Sequence, residues 1–185
     1  MSTIEGPIVL VGHSCGGMVI SNAATGNRNV KSLVYVDAYI PAAGETLGQL
    51  TGAEEGSALN VPDPGTVFNL VPIPNGGGNV DLYVKPELFA QIFAAGIDPH
   101  KAAVLAVSQR PLAASALEEP SGAPAWKSIP SWVLIGTADK VLPPNRADVP
   151  GQPCTRAHRQ DQRPHLSMVA KPNVVTDLIT DAARH

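Results

Sequence analysis

Short runs of apolar residues alternate with helix-like stretches along the chain, and this pattern predicts an α/β fold. Three such runs, at residues 7–12, 30–37 and 128–136, are rich in Val, Leu and Ile. Runs of this length and composition are typical of strands that are buried on both faces of a sheet. Residues 15–24 lie between the first two runs and suit a helix. The first two strands are therefore expected to be parallel, with a right-handed crossover.

Three further stretches have the spacing of helices. Residues 85–95 and 172–183 place apolar side chains at intervals of three and four, so that they share one helical face. Residues 98–107 begin with Asp98 and Pro99, which suit the N-cap and the first helical turn. Two of these helices fall between predicted strands and indicate an insertion into the sheet.

Two stretches lack a regular pattern. Residues 44–79 are rich in Gly, Pro, Asn and Thr, and they are expected to be irregular. Residues 146–164 contain several prolines and arginines but no aliphatic run, so they are expected to hold no buried strand. The predicted organisation is a core formed by residues 1–40 and 123–185. A helical cap, residues 41–122, would cover the C-terminal edge of the sheet, where ligands bind in such folds.

Composition and charge narrow the class of protein. A chain of 185 residues fits one domain, and a net charge of −3 gives no indication of a nucleic-acid partner. No apolar run approaches the ~20 residues of a membrane span, and no leader-like segment opens the chain. The protein is therefore expected to be cytoplasmic, with no membrane partner. Two cysteines are too few for a disulfide framework.

The first strand runs directly into the sequence Gly12-His13-Ser14-Cys15-Gly16, and the first helix follows at once. In this strand–turn–helix context, Gly-x-Ser-x-Gly is the nucleophile elbow of an α/β-hydrolase. The glycines at 12 and 16 are expected to leave room for a strained turn that exposes the serine hydroxyl. Ser14 is therefore the candidate nucleophile.

Two later residues complete a candidate catalytic triad. Asp139 follows the third predicted strand, and His165 precedes the last helix, which gives the chain order Ser, Asp, His of α/β-hydrolases. His165 would take the proton of Ser14 and later give it to the leaving group. Asp139 would orient the imidazole, and the backbone N–H of Cys15 would supply one oxyanion donor.

Several motifs resemble those of the α/β-hydrolases grouped with plant methylesterases and hydroxynitrile lyases. They are the elbow, Ser108-Gln-Arg-Pro111, the stretch from Ile129 to Asp139, and His165-Leu-Ser-Met-Val. The resemblance implies an α/β-hydrolase fold and hydrolysis of small carboxylic esters. It also implies that the reaction needs no metal or cofactor, and that the substrate binds in a pocket under a small helical cap.

The sequence departs from this family pattern in two places. The strands that normally precede the nucleophile strand are missing, together with the loop that would supply a second oxyanion donor. The strand that should carry His165 is also expected to be missing. If this chain is the whole protein, these departures predict little or no activity.

Other interpretations of the same residues remain open. Asp37 also ends a strand and is an alternative triad acid, and Cys15 is an alternative nucleophile. A hydroxynitrile lyase would use the triad as a base and would need a positive charge in the pocket, whereas Leu166 follows His165. A truncated, inactive fragment or a non-catalytic binding protein is a third alternative. An unpaired strand edge would favour pairing with a second copy, which makes a homodimer a further hypothesis.

Overall fold

The computed structural model describes residues 3–144 and 155–185. The strands are β1 (Ile8–Ser14), β2 (Val30–Ala38), β3 (Phe68–Pro72), β4 (Val80–Val84), β5 (Leu112–Ala113), β6 (Ser131–Gly136) and β7 (Thr155–Asp161). The α-helices are α1 (Gly16–Ala23), α2 (Leu47–Gly52), α3 (Pro86–Ile92), α4 (Pro99–Ser108), α5 (Ser167–Ala170) and α6 (Pro172–Ala183). Short 3₁₀ helices lie at Pro64–Thr66, Ala114–Leu117 and Ala125–Lys127.

Within the described residues, the main sheet has four parallel strands in the order β1-β2-β6-β7. Helices cover both of its faces: Leu33 and Tyr35 of β2 pack with Ile20 of α1 on one side. Val34 and Val36 of β2 pack with Leu178 of α6 on the other side. The predicted strands at 7–12, 30–37 and 128–136 are confirmed with small shifts at their ends, and burial on both faces explains the apolar sequences of β2 and β6. The expectation of burial on both faces is wrong for β1, which is only partly buried and in which Val11 is 42% exposed.

The predicted helices are also confirmed. Helix α4 begins after Asp98, whose side chain accepts a hydrogen bond from the backbone N–H of Lys101 at 2.9 Å. Helix α6 spans the predicted residues 172–183. Among the described residues, no helix combines the length and apolar character that a membrane crossing requires.

Between β2 and β6 lies an insertion that contains β3, β4 and β5 in an antiparallel sheet, as well as α2, α3 and α4. The expectation that residues 44–79 are irregular is wrong for α2 and β3. Helix α2 has six residues and is fixed by a capping box between Thr46 and Gln49 rather than by a long apolar period. Strand β3 is mostly exposed, so it has no buried face that a hydrophobic pattern would reveal.

Strand β7 corrects the interpretation of residues 146–164. Thr155–Asp161 pairs in parallel with β6, from Ser131 opposite Thr155 to Gly136 opposite Asp161. Backbone hydrogen bonds make this pairing, and they do not require aliphatic side chains. Among the described strands, β7 has one partner and occupies one end of the sheet. The rest of the stretch up to residue 154, which includes Cys154, lies outside the described residues.

A strand therefore does lead towards His165, and the expectation that it is missing is wrong. Strand β7 ends at Asp161, four positions before His165. The backbone carbonyl oxygen of Arg163 accepts a hydrogen bond from Ala138 N–H at 3.1 Å. The loop after β7 is thus tied to the loop after β6.

Candidate active site

Ser14 lies at the C-terminal end of β1, in a strained turn. Its φ angle is 53°, in the left-handed region that non-glycine residues rarely adopt. Its carbonyl oxygen accepts the N–H of Tyr39 at 3.1 Å, which holds the turn against the end of β2. Helix α1 begins two residues later, at Gly16. This strand–strained turn–helix geometry is that of a nucleophile elbow.

The positions at which the structure requires glycine differ from those that the sequence motif suggests. A Cβ at Gly12 would lie 2.6 Å from the carbonyl oxygen of Gly16, so residue 12 must be glycine. A Cβ at Gly17 would collide with the carbonyl oxygen of Tyr39. A Cβ at Gly16 would meet nothing within 4 Å, so the expectation that Gly16 leaves room for the turn is wrong. The close approach of α1 to the end of β2 depends on Gly17 instead.

His165 and Asp139 are hydrogen bonded to each other. Nδ1 of His165 lies 2.8 Å from Oδ2 of Asp139, and both side chains are buried. Nε2 of His165 is also buried and has no hydrogen-bond partner among the described residues. Buried polar atoms are rarely left without a partner, and those that are often belong to functional sites. One imidazole nitrogen is therefore fixed, while the other remains available.

Asp139 also anchors its own turn. Its other carboxylate oxygen, Oδ1, accepts the backbone N–H groups of Val141 at 2.7 Å and Leu142 at 3.0 Å. The bonds to the turn fix the carboxylate, and the fixed carboxylate in turn orients the ring of His165. Asp139 therefore both closes a turn and orients the ring of His165.

Asp37 lies close by but has a different partner. Its Oδ1 accepts the N–H of Gly136 at 2.6 Å, which joins the ends of β2 and β6. Burial raises the pKa of this carboxyl to about 6. The alternative that Asp37 orients the histidine finds no support in this geometry, because the bond to Nδ1 of His165 comes from Asp139.

His13 packs directly against His165. The two ring centroids are 4.6 Å apart, and Nε2 of His13 donates to the backbone carbonyl oxygen of His165 at 2.8 Å. Burial, and secondarily the neighbouring His165, lower the pKa of His13 to about 4. A neutral His13 thus supports the loop that carries His165. The sequence placed His13 beside the nucleophile, but nothing in it indicated this contact across the chain.

Cys15 is poorly suited to be the nucleophile. Its side chain packs against the cluster of Tyr39, Leu47 and Leu50. Burial raises the pKa of the Cys15 thiol, which disfavours the reactive thiolate. Its backbone N–H lies at the start of α1, where amide groups lack partners within the helix.

A cavity of about 620 Å³ connects these groups with the insertion. Ser14, His13, Cys15 and His165 lie on its wall, and most of the remaining wall is apolar. The apolar wall consists of Leu47, Leu59, Val61, Pro64, Phe68, Leu70, Leu82, Val84, Phe89, Phe93, Leu112, Ala114, Leu117 and Leu166. Phe93 also meets the His165 ring edge-on at 5.1 Å. The insertion therefore forms the wall opposite the candidate triad, although its sequence was too irregular to predict which side chains do so.

The structure thus brings the three predicted residues to one place. Ser14 and His165 share the cavity, and Asp139 supports His165 from behind. Their roles in catalysis remain a prediction.

Comparison with known proteins agrees with this geometry. A model of the alpha/beta hydrolase family matches residues 2–178. The carbendazim hydrolyzing esterase of Nocardioides sp. (strain SG-4G) is 34% identical over a match that covers 35% of this chain and 35% of that protein. The match thus spans about a third of the length of this curated relative.

Solved structures of similar shape show the same fold. Polyneuridine aldehyde esterase superposes with a TM-score of 0.77 at 18% identity, covering 98% of this chain and 74% of that one. A methylesterase from Arabidopsis superposes with a TM-score of 0.68 at 17% identity, covering 99% and 72%. The family match over most of the chain, the parallel sheet and the elbow at Ser14 agree, and the protein belongs to the alpha/beta hydrolase family.

Proposed function

We propose that this protein hydrolyses carboxylic esters through a triad of Ser14, His165 and Asp139. One observation carries the proposal. His165 is fully buried, with Nδ1 held by Asp139 and Nε2 unpartnered among the described residues, in a cavity that it shares with Ser14. An imidazole in this state can accept the proton of a serine hydroxyl.

The reaction proceeds in two steps. Oγ of Ser14 attacks the ester carbonyl carbon while its proton passes to Nε2 of His165, and the resulting oxyanion is stabilised by the N–H of Cys15. The bond between the acyl carbon and the alcohol oxygen then breaks, and that oxygen takes the proton from His165 as the alcohol leaves. Water, deprotonated by His165, attacks the acyl-serine and releases the carboxylic acid and free Ser14.

The relatives support ester hydrolysis as the reaction type. Both the curated relative and the first similar structure are named esterases, for carbendazim and polyneuridine aldehyde respectively. A mostly apolar cavity of about 620 Å³ favours small-molecule esters with apolar groups. The lyase alternative is disfavoured, since Leu166 rather than a lysine follows His165 on the cavity wall, and the cation of that wall, Arg110, is exposed to solvent.

Hydrolysis of p-nitrophenyl butyrate tests the proposal. We expect Ser14→Ala to lower kcat by at least ~10³, because the acyl-enzyme can no longer form. Ser108→Ala is the matched control, since Ser108 is exposed at the end of α4 and outside the cavity wall. Equal rates in the unchanged protein and in Ser14→Ala would contradict the proposed function.

A further inference from the structure

Arg110 lies on the cavity wall and is exposed to solvent. Among the described residues that line the cavity, it is the one lysine or arginine, and no aspartate or glutamate accompanies it there. The proposed reaction does not use this residue. Its charge therefore needs a separate explanation.

The other polar side chains of the wall are largely occupied by the protein itself. The hydroxyl of Tyr39 is hydrogen bonded to Thr51, and Thr51 also donates to the carbonyl oxygen of Leu47. The amide nitrogen of Asn60 donates to the backbone of the loop after α2. Away from the candidate triad, Arg110 is therefore the strongest group on the wall for binding a polar part of a ligand, because it makes no hydrogen bond or ion pair with the described residues.

The backbone at Arg110 is held rigidly on both sides. The side-chain amide of Gln109 accepts from Val84 N–H and donates to Val84 O, both at 2.8 Å, so residue 109 is tied to β4. On the other side, Pro111 restricts Arg110 to extended conformations, and Leu112 pairs with Leu82 of β4. A side chain with a fixed starting point loses less entropy when it binds a ligand.

The surroundings strengthen the electrostatic effect of Arg110. Solvent screens the exposed part of Arg110, whereas the apolar wall lowers the dielectric constant within the cavity, and such clefts concentrate the field of a charge at their surface. The charge of Arg110 is positive, whereas the net charge of the whole chain is −3. A guanidinium group binds a carboxylate through two parallel hydrogen bonds.

We propose that Arg110 forms a second binding point of the cavity, which selects esters that carry an anionic group, such as a carboxylate, apart from the ester to be cleaved. The apolar wall would hold the carbon skeleton between the two polar points. The cleavage of such esters rests on the function proposed above, whereas the binding preference does not.

Matched pairs of p-nitrophenyl esters test the preference during turnover. The acidic members are the mono-p-nitrophenyl esters of adipic, suberic and sebacic acid, and the neutral members of similar length are the heptanoate, nonanoate and undecanoate. We expect the acidic-to-neutral ratio of kcat/KM to be highest at one chain length. Arg110→Met should lower that ratio by up to ~5-fold, the upper range for a solvent-exposed ion pair. Added salt should also lower it.

Two variants separate charge from other effects. Arg110→Lys keeps the charge and should restore most of the ratio. Lys101→Met removes an exposed charge from α4 outside the cavity wall and should leave the ratio unchanged. A ratio that is the same in Arg110→Met and in the unchanged protein at every chain length would overturn the proposal.

Binding without turnover distinguishes this proposal from the proposed function. In the Ser14→Ala background, calorimetry measures the Kd of the corresponding p-nitroanilides of the same acids, which retain the acidic or neutral end. The expected Kd ratio again changes by up to ~5-fold with Arg110→Met. This result together with an absence of ester hydrolysis would reject the triad and keep the anion site. Hydrolysis with no Arg110-dependent difference in Kd would do the reverse.

Discussion

Asp37 and Asp139 are two buried carboxylates at the ends of neighbouring strands, and their partners distinguish them. Asp139 is bonded to the ring of His165, whereas Asp37 is bonded to a backbone amide. Asp139→Asn keeps the size of the side chain but favours the wrong tautomer of the histidine. We expect it to lower kcat for p-nitrophenyl butyrate on the order of 10³–10⁴, as loss of an orienting carboxylate does in serine proteases.

Asp37→Asn is the control for this change. An asparagine oxygen can still accept the N–H of Gly136, and the bond to His165 is untouched. Its effect on kcat should therefore be at least ~10-fold smaller than that of Asp139→Asn. If Asp37→Asn were the more damaging variant, the assignment of the orienting acid would be wrong.

Asp37 should also make stability depend on pH. Burial raises its pKa to about 6 in the folded state, so the folded carboxyl keeps a proton that the unfolded chain has already lost. The fold is therefore destabilised as pH rises from about 4 to about 6, and the loss is complete above that range. Asp37→Asn removes this effect and should gain roughly 3 kcal/mol relative to the unchanged protein across the window.

Urea unfolding between about pH 4 and pH 7 measures this difference. His13, whose pKa is lowered to about 4, gives the opposite slope, with stability falling as pH drops below its unfolded value of 6.5. That contribution is present in both proteins and cancels in the comparison. Asp177→Asn, at an exposed site on α6, should show no such trend. A pH-independent difference between Asp37→Asn and the unchanged protein would contradict the buried state of Asp37.

At the scale of single residues, the sequence predicted those site residues whose position follows from local context. Ser14 was found by its motif, and Asp139 and His165 by their places next to a strand and a helix. The contact of His13 with His165 joins positions 152 residues apart, and no local pattern encodes it. Arg110 appeared in a family motif, but its position on the cavity wall depends on how β4 and β5 pair.

At the scale of elements, the contact of α1 with the end of β2 depends on Gly17 and not on the neighbouring Gly16. A Cβ at Gly17 would collide with the end of β2, whereas a Cβ at Gly16 would enter open space. We expect Gly17→Ala to lower the free energy of unfolding by about 1–3 kcal/mol, through overpacking. Gly16→Ala should leave it unchanged or raise it by up to ~1 kcal/mol, because alanine favours the helix.

Urea unfolding of the two variants provides this comparison, with each serving as the control for the other. Equal destabilisation by both substitutions would show that the contact between α1 and β2 is looser than the structure indicates.

Two of the strands that sequence patterns missed, β7 and β3, are defined by pairing with a neighbouring strand rather than by apolar periodicity. Strand β7 is paired through its backbone to β6, and its sequence of Arg, His and Gln suggested no strand. Strand β3 is mostly exposed. In contrast, β2 and β6 are buried on both faces, which produces the apolar runs that predicted them.

At the scale of the whole molecule, the α/β architecture could be predicted because the chain order of strands and helices restricts the possible topologies. The shape of the cavity could not, since its walls combine strand ends of the main sheet with the insertion. The division into core and cap at residues 40 and 123 stays a prediction. The central claim is that this arrangement activates one hydroxyl group.

Labelling with a fluorophosphonate, read out by intact mass and peptide mapping, tests that claim most directly. Oγ of an activated serine bonds to phosphorus and displaces fluoride, whereas ordinary serines do not react. We predict one adduct per chain, located on Ser14, absent from Ser14→Ala and formed much more slowly in Asp139→Asn. An unlabelled protein, or an adduct that persists in Ser14→Ala, would contradict the account.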